Sequence, residues 1–525
     1  MEITKSKVKI AAFAALTISF NFLFWMEKPG VNYAIYGSLF IGLLMFLEPT
    51  KIKNRYVVVS LVGLIISMIS VLLVNSNISI VMFFISAVLF VSFYYQNELK
   101  SLYYVIPDSV INLFFSVSEL FAVASLRSQN TSSGKKLWKW TKILIIPVTI
   151  TLVFFFIYFR SNHFIEDYTV LFFEEIGEYL RHIFEHYPFL RFVLIFLGAV
   201  LACFFVFYKS TSTFIGLDEM QSDDIIRDRV KAPNSFPIHG LRMEYRTALV
   251  TLLFLNVLLL LVNTVDVWKV WISFDHTQGS SYSAQLHKGI YLLILSILLS
   301  IGMLVYFFRG NINFMKENRS LRIVSHFWLA QNICLAFTAF LKCIHYINYY
   351  SLTYKRIGVL IFLLLTIFGL AMMFFKIEKR KSLFFLLRSN SWFIYLFFVG
   401  ASMVNWDASI AKYNIADSEI ETVDYNYILS LSDKVLPTLI EDKDFHLQNL
   451  EYAPDTAYVE GTPITLRSAP LPPAEIYPIT DRVEHYLSVQ ENFSFLSWNY
   501  SDEYLVNYFH SKGYKSRNEI EALKK

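Results

Sequence analysis

Long apolar runs recur along the chain at 8–26, 31–47, 56–74, 78–95, 142–159, 189–208, 245–265, 287–308, 322–344, 357–375 and 383–404. A hydrocarbon core about 30 Å thick needs about 20 such residues in a helix. Lipid offers the backbone no hydrogen-bond partner, so each run must satisfy its own as a helix. The pattern predicts an all-α polytopic membrane protein with about eleven transmembrane helices. The first run follows Lys5, Lys7 and Lys9 and ends at Trp25-Met26-Glu27-Lys28 without a small-residue cleavage site. It reads as an uncleaved span rather than a signal peptide.

Polar positions change the reading in three places. The stretch Ser101–Leu126 is apolar but carries Pro107, Asp108 and Glu119. If it does not span, the loops on the side of the N-terminus hold 27 Lys and Arg, and those on the other side hold 8. Lys and Arg concentrate in cytoplasmic loops. If it did span, Lys135, Lys136 and Lys139 would face out and every later loop would invert. It is therefore expected to be a helix on, or dipping into, the inner face. The N-terminus is then inside and the C-terminal segment outside. The second place is the outer loop 160–191. Phe164, Tyr168, Phe172, Ile176, Tyr179, Ile183 and Tyr187 recur there at helical spacing, which predicts an amphipathic helix near 164–187. The third is the inner loop 209–246. Asp218, Glu219, Asp223 and Asp224 precede Arg227, Arg229 and Lys231 there, as a short solvated helix and a turn would have them.

Beyond residue 405 the apolar runs stop. Asp424–Asp442 reads as two short helices broken at Ser432-Asp433, where either residue could cap the second. Tyr477–Gln490 and Tyr500–Lys512 are two further helix candidates. Pro470-Leu471-Pro472-Pro473 is extended linker-like chain. The expected organisation is a membrane region over 1–240, a membrane core over 241–405 and a small, mainly helical extracytoplasmic domain over 406–525.

Composition agrees. The 525 residues are 55% hydrophobic and 17% charged, whereas soluble chains carry about 25% charged residues. The net charge of +4 hides an asymmetry: residues 406–525 sum to −10 and the rest to +14. A basic membrane part with an acidic outer tail fits the topology and gives no nucleic-acid footprint. Cys203, Cys334 and Cys343 all sit in apolar stretches and offer no disulfide framework.

From about 240 to 430 the chain resembles a family of bacterial polytopic membrane proteins defined by a domain of unknown function (DUF, numbers 4153 and 4173). The resemblance is carried by Arg242-Met243-Glu244-Tyr245-Arg246, Val262-Asn263-Thr264-Val265-Asp266 and Tyr282-Ser283. It continues in His287-Lys288-Gly289, Phe307-Phe308-Arg309-Gly310, Leu329-Ala330-Gln331-Asn332 and the segment Tyr350–Val359. Asp424–Leu431 and Ser497-Trp498-Asn499 are similar to the family's tail. The first 240 residues match in hydropathy alone. Ser351 stands where the family-like pattern would have Gly. The resemblance implies a protein of the bacterial cytoplasmic membrane and no activity.

Ionisable groups at span ends are the candidate chemistry. Asp266, His287, Lys342, His345, Lys355 and Arg356, with Tyr350 and Tyr354, come from four spans and share one depth on the outer side. They form either a polar, aromatic-lined site, with Asp266 holding Lys342 or Arg356, or an interfacial Tyr belt with snorkelling cations. Within the spans, His326, Gln331 and Asn332 face the prospect of hydrogen bonds to Asn256 and Asn263. His182, Glu185 and His186 match the H-x-x-E-H zinc pattern, a weak signal on a short surface helix. The chain carries no G-x-S-x-G, P-loop or dinucleotide motif, so no cofactor is expected. The sequence reads as a binding, sensing or scaffold component whose partners are the bilayer and an envelope protein or lipid-linked ligand. The alternative is a membrane-embedded enzyme or transporter acting on an envelope or lipid-linked substrate. Oligomeric state is not legible.

Overall fold

Helices follow the apolar runs. The computed structural model describes residues 2–49, 54–125, 151, 189–209, 212–227, 238–272, 279–315, 317–416, 423–442, 456–459, 462–465 and 479–519. The first helices are α1 (Glu2–Phe24), α2 (Val31–Leu47), α3 (Arg55–Leu73), α4 (Asn77–Tyr95) and α5 (Leu102–Ser125). Next come α6 (Phe189–Val206), the short α7 (Ser212–Met220) and α8 (Ile238–Asp266), which runs into a π-helical stretch at Val267–Ile272. The apolar series ends with α9 (Gly279–Phe307), α10 (Asn318–Tyr350), α11 (Tyr354–Glu378) and α12 (Leu383–Ala401). Seven described helices are long and apolar enough to cross a bilayer. Three shorter apolar ones accompany them, at Val31–Leu47, Leu190–Val206 and Leu292–Phe307. Every expected run but one falls on these helices. The exception, 142–159, lies outside the described residues apart from Thr151. This is the architecture of a multi-pass membrane protein.

Local chemistry sets the helix starts. Asn54 caps α3 by accepting from Tyr56 N at 3.0 Å, and its amide also donates to Asn97 O and Leu99 O at 2.8 and 2.7 Å. Ser76 and Ser79 form a reciprocal box at the start of α4.

The chain divides into two compact units. One comprises Met1–Asp218 with Val399–Met403 and Glu491–Glu503; the other comprises Glu219–Phe398, Val404–Gln490 and Tyr504–Lys525. In the first, α3 packs along α4, α1 along α6, and α5 against α4 and α6. Its centre is aromatic: Tyr36, Phe40, Phe83, Phe90, Phe93, Phe204 and Phe207 are fully buried. Phe40 stacks on Phe205 at 4.4 Å, and Phe20 meets Tyr36 edge-on at 5.3 Å. In lipid such rings associate through close packing rather than through release of water.

In the second unit α10 is the hub, packed by α8, α9 and α11. The tail contributes α13 (Trp406–Ala416), α14 (Tyr425–Leu429), a 3-10 turn at Asp433–Val435, α15 (Leu436–Glu441) and α16 (Ile479–Gln490). A 3-10 turn at Phe495–Ser497 leads to α17 (Tyr500–Ser511). Leu436, Val483, Tyr486, Leu487, Leu505 and Phe509 form a small core among α15, α16 and α17. Arg482 locks it: Nε donates to Asp433 at 2.7 Å, and the two terminal nitrogens donate to Leu429 O and Leu431 O at 2.6 and 2.7 Å. Burial, together with the Glu441 carboxylate 3.0 Å away, raises the Tyr508 phenol above its usual value, so it stays a neutral donor. β1 (Thr456–Val459) and β2 (Thr462–Thr465) pair antiparallel, with Thr456 opposite Thr465, while the extended chain expected at 470–473 lies outside the described residues.

The break at Ser432-Asp433 is present, but neither side chain caps the following turn. Ser432 instead donates its hydroxyl to Asp407 at 2.5 Å. The helix expected near 164–187 lies outside the described residues.

Candidate functional site

Asp266 is the last residue of α8, and Lys342 lies on the face of α10 turned to it. Lys342 Nζ donates to both carboxylate oxygens at 2.9 and 3.0 Å, with each side chain about four-fifths buried. Of the two partners foreseen for Asp266, the structure selects Lys342. Arg356 is engaged elsewhere. Its guanidinium donates to Tyr350 O at 2.5 Å and to Ser351 O, and it lies 4.4 Å from the centre of the Tyr346 ring. Tyr346 in turn packs on Tyr350 at 4.7 Å. The cation therefore ties the end of α10 to the start of α11 by capping the carbonyls of the connection.

That connection has an unusual backbone. Ser351 is buried and adopts φ +73°, ψ 162°, a region populated almost entirely by glycine. Its neighbours bond to the tail at four points. Leu352 N donates to Asn414 Oδ1 at 2.5 Å, and Asn414 returns a bond to Leu352 O at 3.0 Å. Tyr354 N donates to the Tyr427 hydroxyl at 2.9 Å, and the Tyr354 hydroxyl donates to Asp407 at 2.6 Å. The other oxygen of Asp407 takes the Ser432 hydroxyl.

The remaining candidates are placed as follows. Lys355 is exposed at the start of α11. His345 lies on α10 between Lys342 and Tyr346. His287 lies on α9, in a stretch whose side chains fall outside the description. His182, Glu185 and His186 lie outside the described residues. Among the described residues, no three His, Cys, Asp or Glu side chains gather as a metal site. Sequence reading missed Asp407 and Asn414, which carry no motif, and took Ser432 only as a helix cap. Tyr427 lay within a family-like stretch and could have been flagged.

Of the polar residues inside the spans, Gln331, Asn256 and Asn263 pair between helices, while Asn332 donates to Trp328 O of its own helix at 2.8 Å. Gln331 donates to Asn256 Oδ1 at 2.6 Å, and Asn263 donates to Gln331 O at 3.1 Å. Asp223 takes Arg388, and Asp224 takes Lys381 at 2.6 Å, so the acidic run between α7 and α8 is partly ion-paired.

A second polar centre lies in the first unit and was not foreseen as one. Asp108, one residue past Pro107 in α5, is fully buried. It accepts from Gln96 Nε2 at 2.6 Å, from Asn112 Nδ2 at 3.2 Å and from the Tyr208 hydroxyl. Ser92 and Ser109 meet beside it at 2.7 Å. The network joins α5 to the ends of α4 and α6.

Residues 11–441 match the model of a family described as a domain of unknown function (DUF4153). The chain belongs to this family. The match begins at residue 11, so it takes in residues 11–240, where sequence reading found likeness in hydropathy alone. For this DUF4153 protein, no curated protein and no solved structure matches. Family membership and the apolar helices make it an integral, multi-pass membrane protein.

Proposed function

We propose that this DUF4153 protein is a binding, sensing or scaffold component of the bacterial cytoplasmic membrane. The observation that carries this reading is the four-point bonding of the Tyr350–Val359 segment to the tail. A ligand or partner that moved α13 or α14 would pull directly on the α10–α11 connection. Through Arg356 it would also pull on Tyr346 and Tyr350. Lys342, which holds Asp266 of α8, lies on the same α10, about two turns before its end. The site then comprises Asp266, His287, Lys342, His345, Tyr350, Tyr354, Lys355 and Arg356, facing an envelope protein or a lipid-linked ligand.

The accompanying topology has eleven spans, an inner N-terminus and an outer tail. The membrane region is 1–240, the core 241–405 and the extracytoplasmic domain 406–525. Bonds at the end of the first span support it. Val31 N donates to Trp498 O at 2.9 Å, a bond between the loop that follows α1 and the segment 491–503, consistent with an outer tail.

Single cysteines at 136 and 420, labelled in intact cells by an impermeant reagent, test the topology. Labelling at 420 alone is expected; labelling at 136 sinks the eleven-span scheme and the outer site with it. Tyr354→Phe tests the coupling. It should raise amide exchange in both 406–416 and 350–356, whereas a change confined to one segment would separate tail from membrane core.

A further inference from the structure

The loop after α1 is held by a segment some 470 residues away in sequence. Ser494 donates to Glu27 Oε1 at 2.5 Å and Ser497 to Glu27 Oε2. Lys28 N donates to Ser497 Oγ at 2.7 Å, and Val31 N to Trp498 O at 2.9 Å. Asn499 Nδ2 reaches Pro29 O at 3.4 Å, and Lys28 Nζ stands 4.5 Å over the Phe493 ring. The family-like triplet Ser497-Trp498-Asn499 thereby acquires a physical reading. Its backbone is extended at Trp498 (φ −61°, ψ 131°). Successive side chains of extended chain point to opposite faces. Ser497 and Asn499 are 6% and 1% exposed and face the loop, while Trp498 is 40% exposed and faces away. Phe495 and Tyr500 are exposed as well, at 71% and 55%.

The bond from Val31 fixes the depth of this aromatic group. Val31 is the first residue of α2, so Trp498 lies level with the end of a membrane helix. At that depth the surroundings are lipid headgroups and the upper acyl chains, where Trp, Tyr, Lys and Arg concentrate. Met26, Trp25 and Arg191 share this rim; Arg191 lies 5.3 Å from the Trp25 ring. The Trp498 indole N–H is already bonded to Glu503 at 3.0 Å, so its apolar edge is free to meet lipid.

We infer that Phe495, Trp498 and Tyr500 form an interfacial anchor that docks the tail onto the lipid surface, with the bilayer itself as partner. The clasp by Ser494, Ser497 and Asn499 orients the anchor, and the aromatic side chains enter the headgroup boundary. The inference rests on the chain being a multi-pass membrane protein and holds for either sidedness. Its failure is therefore distinct from failure of the proposed outer site.

The test uses the full chain with Cys203→Ala, Cys334→Ala, Cys343→Ala and Phe495→Cys, labelled with a bimane and reconstituted into phosphatidylcholine vesicles. Phe495 is exposed, so the clasp should survive its replacement. Lipids with a nitroxide near the acyl carbonyl should quench the probe strongly, and those with a nitroxide near the chain end weakly. Aqueous iodide should have little effect. Quenching by iodide without quenching by nitroxide would mean a water-facing surface and would overturn the inference. Protection from all quenchers would mean a covering protein and would overturn it too. Quenching seen in phosphatidylglycerol vesicles alone would assign the contact to Lys28 and Arg191 and reject apolar anchoring. A second measurement leaves Phe495 in place. Brominated lipids should quench a smaller share of tryptophan emission in Trp498→Phe than in the unaltered chain; equal shares would count against the anchor.

Discussion

Ser351 and Gly30 show how much a single backbone position can decide. Ser351 holds φ +73° without being glycine, and the strain it stores is of order 1–3 kcal/mol. Ser351→Gly should therefore stabilise the protein by about 1 kcal/mol, less than the full strain because glycine also frees the unfolded chain. Thermal unfolding in detergent reads this out, and a fall in midpoint would mean that the Ser351 side chain does more than fill space. At Gly30 the constraint is contact. A Cβ there would stand 2.4 Å from Trp498 O and 2.6 Å from Ser497 C, both backbone atoms that cannot swing aside. Gly30→Ala is expected to loosen residues 493–499 and to bring protease cleavage there, while α1 to α4 stay intact. Resistance equal to that of the parent protein would argue against the clasp. The Ser351 position was visible in the sequence as a departure from the family-like pattern. Gly30 was not, because its constraint comes from residues 497 and 498.

At the scale of elements, two buried charged residues hold helix ends. Lys376, on α11, is 1% exposed and donates to Phe308 O at 2.9 Å. That carbonyl closes α9 and also accepts from Asn313 at 3.1 Å. The ammonium thus meets the negative end of a helix, where a cation is stabilised by about 1 kcal/mol and up to about 2 when partly buried. Lys376→Met should cost about that much and no more, since Asn313 still serves the carbonyl. Lys376→Glu should abolish accumulation of folded protein. If methionine proves as damaging as glutamate, a role beyond capping is indicated. For α5, Asp108 is the tether. Asp108→Leu takes this acceptor from Gln96 Nε2 and the Tyr208 hydroxyl, at about 1–3 kcal/mol for each buried orphan, while Asn112 keeps its bond to the carbonyl of residue 108. Loss of at least about 2 kcal/mol is expected, with Asp108→Asn milder because one oxygen remains. Denaturant titration of the purified protein measures both. The distribution of Lys and Arg among the loops led to the expectation that 101–126 lies on, or dips into, the inner face, and Pro107 and Asp108 raised the question. What ties α5 to α6 is the bond to Tyr208, a hundred residues later, which no spacing rule connects to Asp108.

For the whole molecule, the decisive contacts are those that join segments far apart in the chain. The tail segment bonds to the loop at 27–31, and that loop follows the first span, so the two lie on one side whatever the total number of spans. Ending the chain after Gln490 should remove the Glu27, Lys28 and Val31 bonds together. Amide exchange at 25–31 should rise while exchange in the middle of α3 and α4 holds. Unchanged exchange at 25–31 would show that the loop is ordered without the tail. The tail's own fold should depend on Arg482. Arg482→Lys keeps the charge but cannot reach Asp433, Leu429 O and Leu431 O at once. Earlier unfolding of the tail is expected, and lysine matching arginine would sink the clamp.

The sequence by itself determined the class, the helical runs, the asymmetry of charge and the family-like segments. These are written in nearest neighbours: a membrane helix satisfies its own backbone, so its signal is local and strong. It also narrowed the partner of Asp266 to two residues, because span ends at one depth can be read from spacing. Only the tertiary structure chose Lys342 over Arg356, gathered Asp108 with Tyr208, and brought Ser497-Trp498-Asn499 to the end of the first span. Those outcomes depend on which helix faces which and at what rotation. In lipid that choice is made by close packing and buried hydrogen bonds between distant residues, and neither leaves a periodic trace in the chain.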